Sequence, residues 1–107
     1  MEVQLHAGAE DELRQLRKLS IQEHAAMLTA IKKLRDIGPT LSFPHTSQVK
    51  GTKLRELRPR AGKSPWRAFY MRFGDVLRIG AIGPEAEHDP SGFQRAVDAA
   101  WSRLCED

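Results

Sequence analysis

Three short segments of strand type, separated by turn residues, occupy residues 54 to 82 and constrain the fold more than any other part of the chain. The segments are Leu54 to Arg58, Trp66 to Phe73 and Val76 to Ile82. Each is rich in the aromatic or aliphatic residues that strands favour, and the second alternates in polarity. The connections between them contain Pro, Gly and Asp, which favour turns. The pattern therefore predicts a three-stranded antiparallel meander.

Two helices are predicted before this meander. Residues 9 to 19 place apolar side chains at helical spacing, and Ser20 with Glu23 has the S-x-x-E spacing of a capping box that starts a second helix. Gly38 followed by Pro39 ends it. The apolar face of the second helix is predicted to consist of His24, Met27, Leu28, Ile31 and Leu34. Together the two segments predict a helical hairpin.

The two ends of the chain add one element each. Glu2 to His6 alternates and is predicted to be a short strand, whereas residues 39 to 52 show little periodicity and are interpreted as a loop. Asp89 is predicted to cap a last helix, with Pro90 in its first turn. The buried face of that helix is expected to be Phe93, Val97, Ala100, Trp101 and Leu104.

The order of elements is therefore β-α-α-β-β-β-α, which predicts an α+β fold with the helical hairpin packed on one face of a small antiparallel sheet. At 107 residues the chain has room for one core, so residues 1–107 are interpreted as a single domain. No apolar run is long enough for a membrane span, and the N-terminus has acids where an export signal would be basic and then apolar. With Cys105 as the one cysteine, we expect a cytoplasmic protein.

Positive charge is concentrated within the predicted meander. Residues 50 to 78 hold nine of the seventeen Lys and Arg residues and only two acids, whereas the formal charge of the whole chain is +3. The basic residues alternate with apolar and aromatic ones such as Leu57, Trp66 and Tyr70. Arginines arranged along strands in this way indicate a surface for a polyanion, with RNA as the leading candidate.

The same region resembles the core of the RelE/ParE superfamily of type II toxins, in particular its HigB or phage Gp49-like branch. Members of that branch typically carry a Lys-Gly-x-x-Leu-x-Glu-Leu-Arg run, a turn, an Arg-x-Phe-Tyr strand and an aliphatic strand. The matching residues here are Lys50, Gly51, Leu54, Glu56, Leu57, Arg58, Arg67, Phe69, Tyr70 and Val76 to Ile82, with Phe43-Pro44-His45 as the lead-in. The motif covers residues 43 to 82.

This resemblance implies a RelE-like sheet with helices on one face and a toxin that cuts messenger RNA, commonly in the ribosomal A site. It also implies a cognate antitoxin, usually a helix-turn-helix protein encoded beside the toxin. The chemistry would need no metal and no cofactor: a 2′-hydroxyl attacks the adjacent phosphate, one group takes its proton, another protonates the leaving oxygen, and cations stabilise the phosphorane.

The candidate catalytic residues are Arg58, Arg67 and His88. Arg58 and Arg67 match positions that the family uses for phosphate contact, and a guanidinium pairs two phosphate oxygens at once. His88 is the one residue of the segment 83–89 suited to proton transfer near neutral pH. That segment is otherwise acidic, where the family commonly has cations. The expected RNA-binding residues are Lys50, Lys53, Arg60 and Arg78.

Other side chains are given ordinary roles. The four histidines lack metal-ligand spacing, so no metal site is expected. His45 is assigned to a loop, with catalysis as the less favoured interpretation. Tyr70 has the opposite parity to Arg67 on its strand and is assigned to the core.

Two further functions remain open at this point. A binding protein on the same fold, such as a gyrase-targeting ParE-like toxin or a member without catalytic activity, is favoured by the acidic segment 83–89. A plain nucleic-acid-binding domain would also account for the charge. The absence of a helix-turn-helix or RNP-type motif makes the second the less favoured of the two.

Overall fold

A five-stranded mixed sheet with helices on both faces forms the centre of the molecule. The computed structural model describes residues 1–105. The elements are β1 (Glu2–Leu5), α1 (Ala7–Leu19), α2 (Ile21–Ile37), β2 (Thr46–Gln48), β3 (Arg55–Leu57), β4 (Trp66–Phe73), β5 (Val76–Pro84) and α3 (Pro90–Cys105), with 3₁₀ turns at Gly38–Thr40 and Pro59–Gly62. Among these helices, none is long and apolar enough to cross a membrane.

The strand order in the sheet is β1-β5-β4-β3-β2. Strands β3 to β5 pair antiparallel, as the predicted meander requires. Strand β2 adds a further antiparallel pair with β3, whereas β1 pairs parallel with β5, with Val3 opposite Leu77. The expectation of a purely antiparallel sheet was therefore wrong at this edge. The loop predicted over residues 39 to 52 was also wrong in part, because it contains β2. That strand has only three residues, all polar, so no apolar alternation marks it.

Alternation along β4 divides the core into two layers. Ala68 and Tyr70 pack in the cluster beneath α1 and α2, together with Leu34 and Ile79. Phe69 points to the other face and packs against α3. The prediction for Tyr70 is thus confirmed by its burial. The expectation of helices on one face holds for the hairpin, whereas α3 covers the opposite face.

The helix caps follow the sequence patterns. The side chain of Ser20 accepts the amide of Glu23 at 3.2 Å, and Asp89 accepts the amide of Gly92 at 3.0 Å. Two predicted core residues are instead partly exposed, Leu28 at 45% and Trp101 at 43%. Small side chains of α3, such as Ala100, let the helix backbone approach β5, so the bulky Trp101 lies at the rim of the contact.

A polar clamp connects α1, β5 and α3 where β1 no longer covers β5. One carboxylate oxygen of Glu12 accepts the amide of Ile82 at 2.9 Å, and both oxygens accept from Arg103 at 3.0 and 3.1 Å. Arg103 also donates to the carbonyl of Gly80 at 2.9 Å. Glu12 thereby accepts a hydrogen bond from a β5 amide, as a further residue of β1 would do if that strand were longer.

We expect Glu12→Ala to lower the free energy of unfolding by about 1–3 kcal/mol, because it leaves an edge amide and a half-buried guanidinium without their carboxylate. Chemical denaturation measures this. The control is Gln15→Ala on the exposed side of the same helix, which should change stability by less than about 0.5 kcal/mol. Equal stability of the two variants would contradict the clamp.

Candidate nucleic-acid interface

A groove of about 460 Å³ lies between α2 and the turn that follows β3. We call it the α2 groove. On the α2 side it is lined by small residues, among them Ala26 and Ala30, which leave the space open. Its remaining lining includes Lys33, His45, Arg58 and Arg60. Within residues 1–105 no acidic side chain lines it, although Glu23 beside it pairs with Arg60 at 3.0 Å. The α2 groove is therefore a cationic cleft with an apolar floor, which suits a polyanion that also carries flat apolar groups.

His45 and Arg58 form a cross-strand pair at one end of this groove. Thr46 lies opposite Leu57 in the β2–β3 ladder, and the amide of Arg58 donates to the carbonyl of His45 at 2.8 Å. The two residues therefore extend the register by one pair. Directly opposite residues point to the same face with Cβ atoms about 5 Å apart. The fold thus brings His45 and Arg58 onto adjoining chain segments that both line the groove, although they are thirteen positions apart in the sequence.

The guanidinium of Arg58 is held by stacking and keeps an unused donor. Its central carbon lies 4.8 Å from the centre of the Phe43 ring, within the range of a cation–π contact. Its Nε is buried and has no hydrogen-bond partner within residues 1–105. A buried donor without an acceptor is unfavourable. Because this Nε is buried, a phosphate oxygen would bind the terminal nitrogens of Arg58 and not the Nε.

Arg67 occupies a different environment, in the interior. It is 4% exposed and donates to the carbonyls of Ser64 at 2.6 Å, Trp66 at 2.9 Å and Gly62 at 3.3 Å. The carboxylate of Glu56 lies 3.5 Å from its Nε. A direct phosphate contact by Arg67 would require these bonds to break.

The charges around Arg67 act in opposite directions. Burial lowers the pKa of Arg67, because it disfavours the charged guanidinium, and the nearby positive charge of Arg58 lowers it further. The carboxylates of Glu56 and Glu85 raise that pKa and partly offset the burial. The two arginines are thus close enough to affect each other electrostatically.

Arg58 and Arg67 meet at Gly62. Arg67 donates to the Gly62 carbonyl, and a Cβ at position 62 would lie 2.5 Å from a terminal nitrogen of Arg58. Gly62 also has φ +94°, a conformation that side chains other than glycine rarely adopt. The structure therefore gathers Arg58, Arg60 and Arg67 around the turn Pro59–Gly62, with the first two facing the groove.

Glu23 fastens this turn to α2. Its carboxylate accepts from the buried hydroxyl of Ser64 at 2.7 Å and from Arg60 at 3.0 Å. The capping-box pattern predicted the contact from the amide of Glu23 to Ser20, which is present. The pattern did not predict the hydrogen bonds from Ser64 and Arg60 to the Glu23 carboxylate, because these residues are distant in sequence. Glu23 is a residue of the site that sequence reasoning missed.

The other predicted site residues lie elsewhere. His88 is exposed and lines a second cavity, with Trp66 and Arg95, and its amide donates to the carboxylate of Glu85. It does not line the α2 groove. Lys50 is exposed in the turn after β2, and Lys53 lines a third cavity with Arg55.

Arg78 lies at the opposite end of the sheet from the groove. It pairs with Met71 in the β4–β5 ladder, four residues along β4 from Arg67. That spacing corresponds to about 13 Å along the strand. Its guanidinium lies 5.4 Å from the centre of the Phe73 ring. Of the seven predicted site residues, the structure thus brings together Arg58, Arg60 and Arg67.

Because Arg67 supplies partners to three carbonyls, we expect Arg67→Ala to lower the free energy of unfolding by about 3 kcal/mol. The measurement is chemical denaturation of the purified variant. Arg72→Ala is the matched control, since Arg72 is exposed and makes one bond, to the carbonyl of Gly74 at 2.8 Å. A stability of Arg67→Ala equal to that of this control would show that the interior bonds do not hold the turn.

Comparison with known proteins places the chain in a family. The model of the phage-derived protein Gp49-like family (DUF891) matches residues 14–77, which is more than half of the chain. The match runs from α1 into β5 and includes Glu23, Arg58 and Arg67, whereas the acidic segment 83–89 and α3 lie beyond it. No curated protein matches the chain. The chain therefore belongs to the Gp49-like family, which is associated with the toxins of toxin–antitoxin systems and is part of the RelE/ParE-like toxin superfamily.

Proposed function

We propose that this protein is the toxin of a type II toxin–antitoxin pair, of the HigB-like kind, and that it cleaves messenger RNA at the ribosome without a metal ion. A cognate helix-turn-helix antitoxin would neutralise it. The observation that carries the proposal is that His45 and Arg58 line one groove together with Lys33 and Arg60.

The chemistry needs two events at one phosphodiester. The 2′-hydroxyl attacks the adjacent phosphorus and loses its proton, and the 5′-oxygen of the next nucleotide leaves and takes a proton from a water molecule. The products are a 2′,3′-cyclic phosphate and a free 5′-hydroxyl. His45 accepts the proton of the 2′-hydroxyl as general base, since imidazole is the side chain best suited to proton transfer near neutral pH.

Arg58 acts on the phosphate itself. Its planar guanidinium donates to two oxygens at once and stays charged, so it stabilises the extra negative charge of the phosphorane. Lys33 and Arg60 lie along the same groove and contact neighbouring phosphates. Arg67 is proposed as a positioning residue, which shapes the turn that carries Arg58 and Arg60 and does not touch the substrate.

The remaining predicted residues are given more distant roles. Lys50 and Lys53 are exposed and are proposed to contact RNA or the ribosome beyond the groove. Arg78 lies at the other end of the sheet, over the ring of Phe73, and is given no contact with RNA in this proposal. His88, which lines the second cavity, is not needed for the step at Arg58.

A second candidate function is binding without cleavage, as in a gyrase-targeting ParE-like toxin. Two observations favour it: the interior position of Arg67 and the acids Glu85 and Glu87, which follow β5 where the superfamily commonly has cations. In this case the cationic groove would hold a partner, and messages would stay intact while a DNA-damage response is induced.

The test is expression of the protein in a bacterial host, with growth and primer-extension mapping of messages as readouts. For the unaltered protein we expect discrete new 5′ ends in the messages. Co-expression of a neighbouring antitoxin gene should restore growth. Arg58→Ala should reduce cleavage by about 10²–10³-fold, and His45→Ala by about 10²–10⁴-fold, without loss of folding. Arg72→Ala, on the far end of β4, should leave cleavage unchanged.

Growth arrest with intact messages would overturn the nuclease and favour the binding function. Cleavage that persists in Arg58→Ala and His45→Ala would remove the groove from the mechanism even if the protein is a nuclease. Circular dichroism of each variant separates these outcomes from unfolding.

A further inference from the structure

We propose that the exposed ring of Phe43 is a stacking site for an unpaired base of single-stranded RNA, next to the phosphate that Arg58 contacts. The inference rests on the proposed action on RNA and adds to it a base-binding subsite on the protein. In the chemistry described above Phe43 only holds the guanidinium of Arg58 and does not touch the substrate.

The ring of Phe43 is exposed to solvent on a loop whose two ends are fixed. Phe43 is 69% exposed, although phenylalanine side chains usually pack in the protein interior. On either side of it, Leu41 is 5% exposed and Thr46 is fully buried, and the hydroxyl of Thr46 donates to the carbonyl of Leu41 at 3.0 Å. The loop is thus closed and fixed at both ends. The exposure of Phe43 is a property of its placement and not of a loose segment.

One face of the ring is already occupied by a cation. The guanidinium of Arg58 lies over it at 4.8 Å, which leaves the opposite face and the edge free. A nucleobase stacks on an aromatic face irrespective of its sequence, since every base has a π-face. A base on the free face of Phe43 would place the sugar–phosphate chain beside Arg58 and His45. The ring, the guanidinium and the imidazole then contact one nucleotide and its neighbour.

The charges of the surroundings favour RNA over a protein partner. Within the part of the chain that the structure describes, the groove next to Phe43 is lined by Lys33, His45, Arg58 and Arg60, and by no acidic side chain. Single-stranded nucleic acid combines phosphates with flat bases, and proteins that bind it combine a positive groove with stacking aromatic rings. Binding of a protein segment at Phe43 is an outcome that the experiment separates.

The chain contains a matched pair that serves as control. Arg78 lies over the ring of Phe73 at 5.4 Å, so this pair also combines an aromatic ring with a guanidinium. Phe73 is less exposed, at 37%, and lies at the β4–β5 turn, away from the α2 groove. We expect Phe73→Ala to leave RNA binding unchanged.

The experiment measures binding of a short single-stranded RNA in which every 2′-hydroxyl is methylated, so that cleavage cannot occur, and which carries one 2-aminopurine. Stacking quenches the fluorescence of this base. We expect the unaltered protein to quench it and Phe43→Ala to abolish the quenching and weaken binding about tenfold. Phe43→Trp should keep both, whereas Phe43→Leu should keep folding and lose the quenching. An otherwise identical RNA with an abasic site should bind the unaltered protein and Phe43→Ala equally.

The outcomes separate this inference from the proposed function. Quenching that depends on Phe43, with no cleavage of cellular messages, would support the base site and overturn the nuclease. Cleavage by a protein whose RNA binding is the same in Phe43→Ala as in Phe73→Ala would overturn the base site and leave the nuclease. Loss of antitoxin neutralisation in Phe43→Ala, with RNA binding unchanged, would assign the ring to the protein partner and also overturn the base site. Absence of RNA binding by the unaltered protein would overturn the base site, whereas the map of cleaved messages decides the nuclease separately.

Discussion

The buried guanidinium of Arg67 is the interaction on which the candidate site depends. Arg67 donates to the carbonyls of Gly62 and Ser64, in the connection between β3 and β4, and of Trp66, the first residue of β4. A lysine at this position would offer one compact ammonium in place of a planar fork of N–H groups, so it could not span the same acceptors. The shape of this turn in turn sets where Arg58 and Arg60 lie.

Most of the regular structure could be predicted from the sequence because its determinants are local. Helical spacing and the caps Ser20 and Asp89 define the helices, and alternation with glycine-containing turns defines β4 and β5. The missed features depend on contacts between distant residues. The three polar residues of β2 form a strand only because β3 lies beside them, and nothing in residues 2 to 5 shows that their partner is β5 or that the pairing is parallel.

The candidate site shows the same contrast between local sequence patterns and contacts of distant residues. The sequence pattern identified Arg58 and Arg67 by type and position, but the alternation of a strand does not reveal which arginine is buried by the turn beside it. The link between His45 and Arg58 arises from the register of β2, the strand that the sequence did not predict. Glu23 contacts Arg60 and Ser64, which lie 37 and 41 positions later in the sequence. Side chains brought together by tertiary packing in this way carry no signal in a single sequence.

The parallel pairing of β1 with β5 sets an order on the folding of the newly made chain. Strand β1 finds its partner only after the seventy residues between the two strands have been synthesised. Until then the hairpin of α1 and α2 lacks the β5 side chains against which it packs, and the loop to be closed is long. An activity that requires the completed sheet is therefore withheld until β5 has been synthesised.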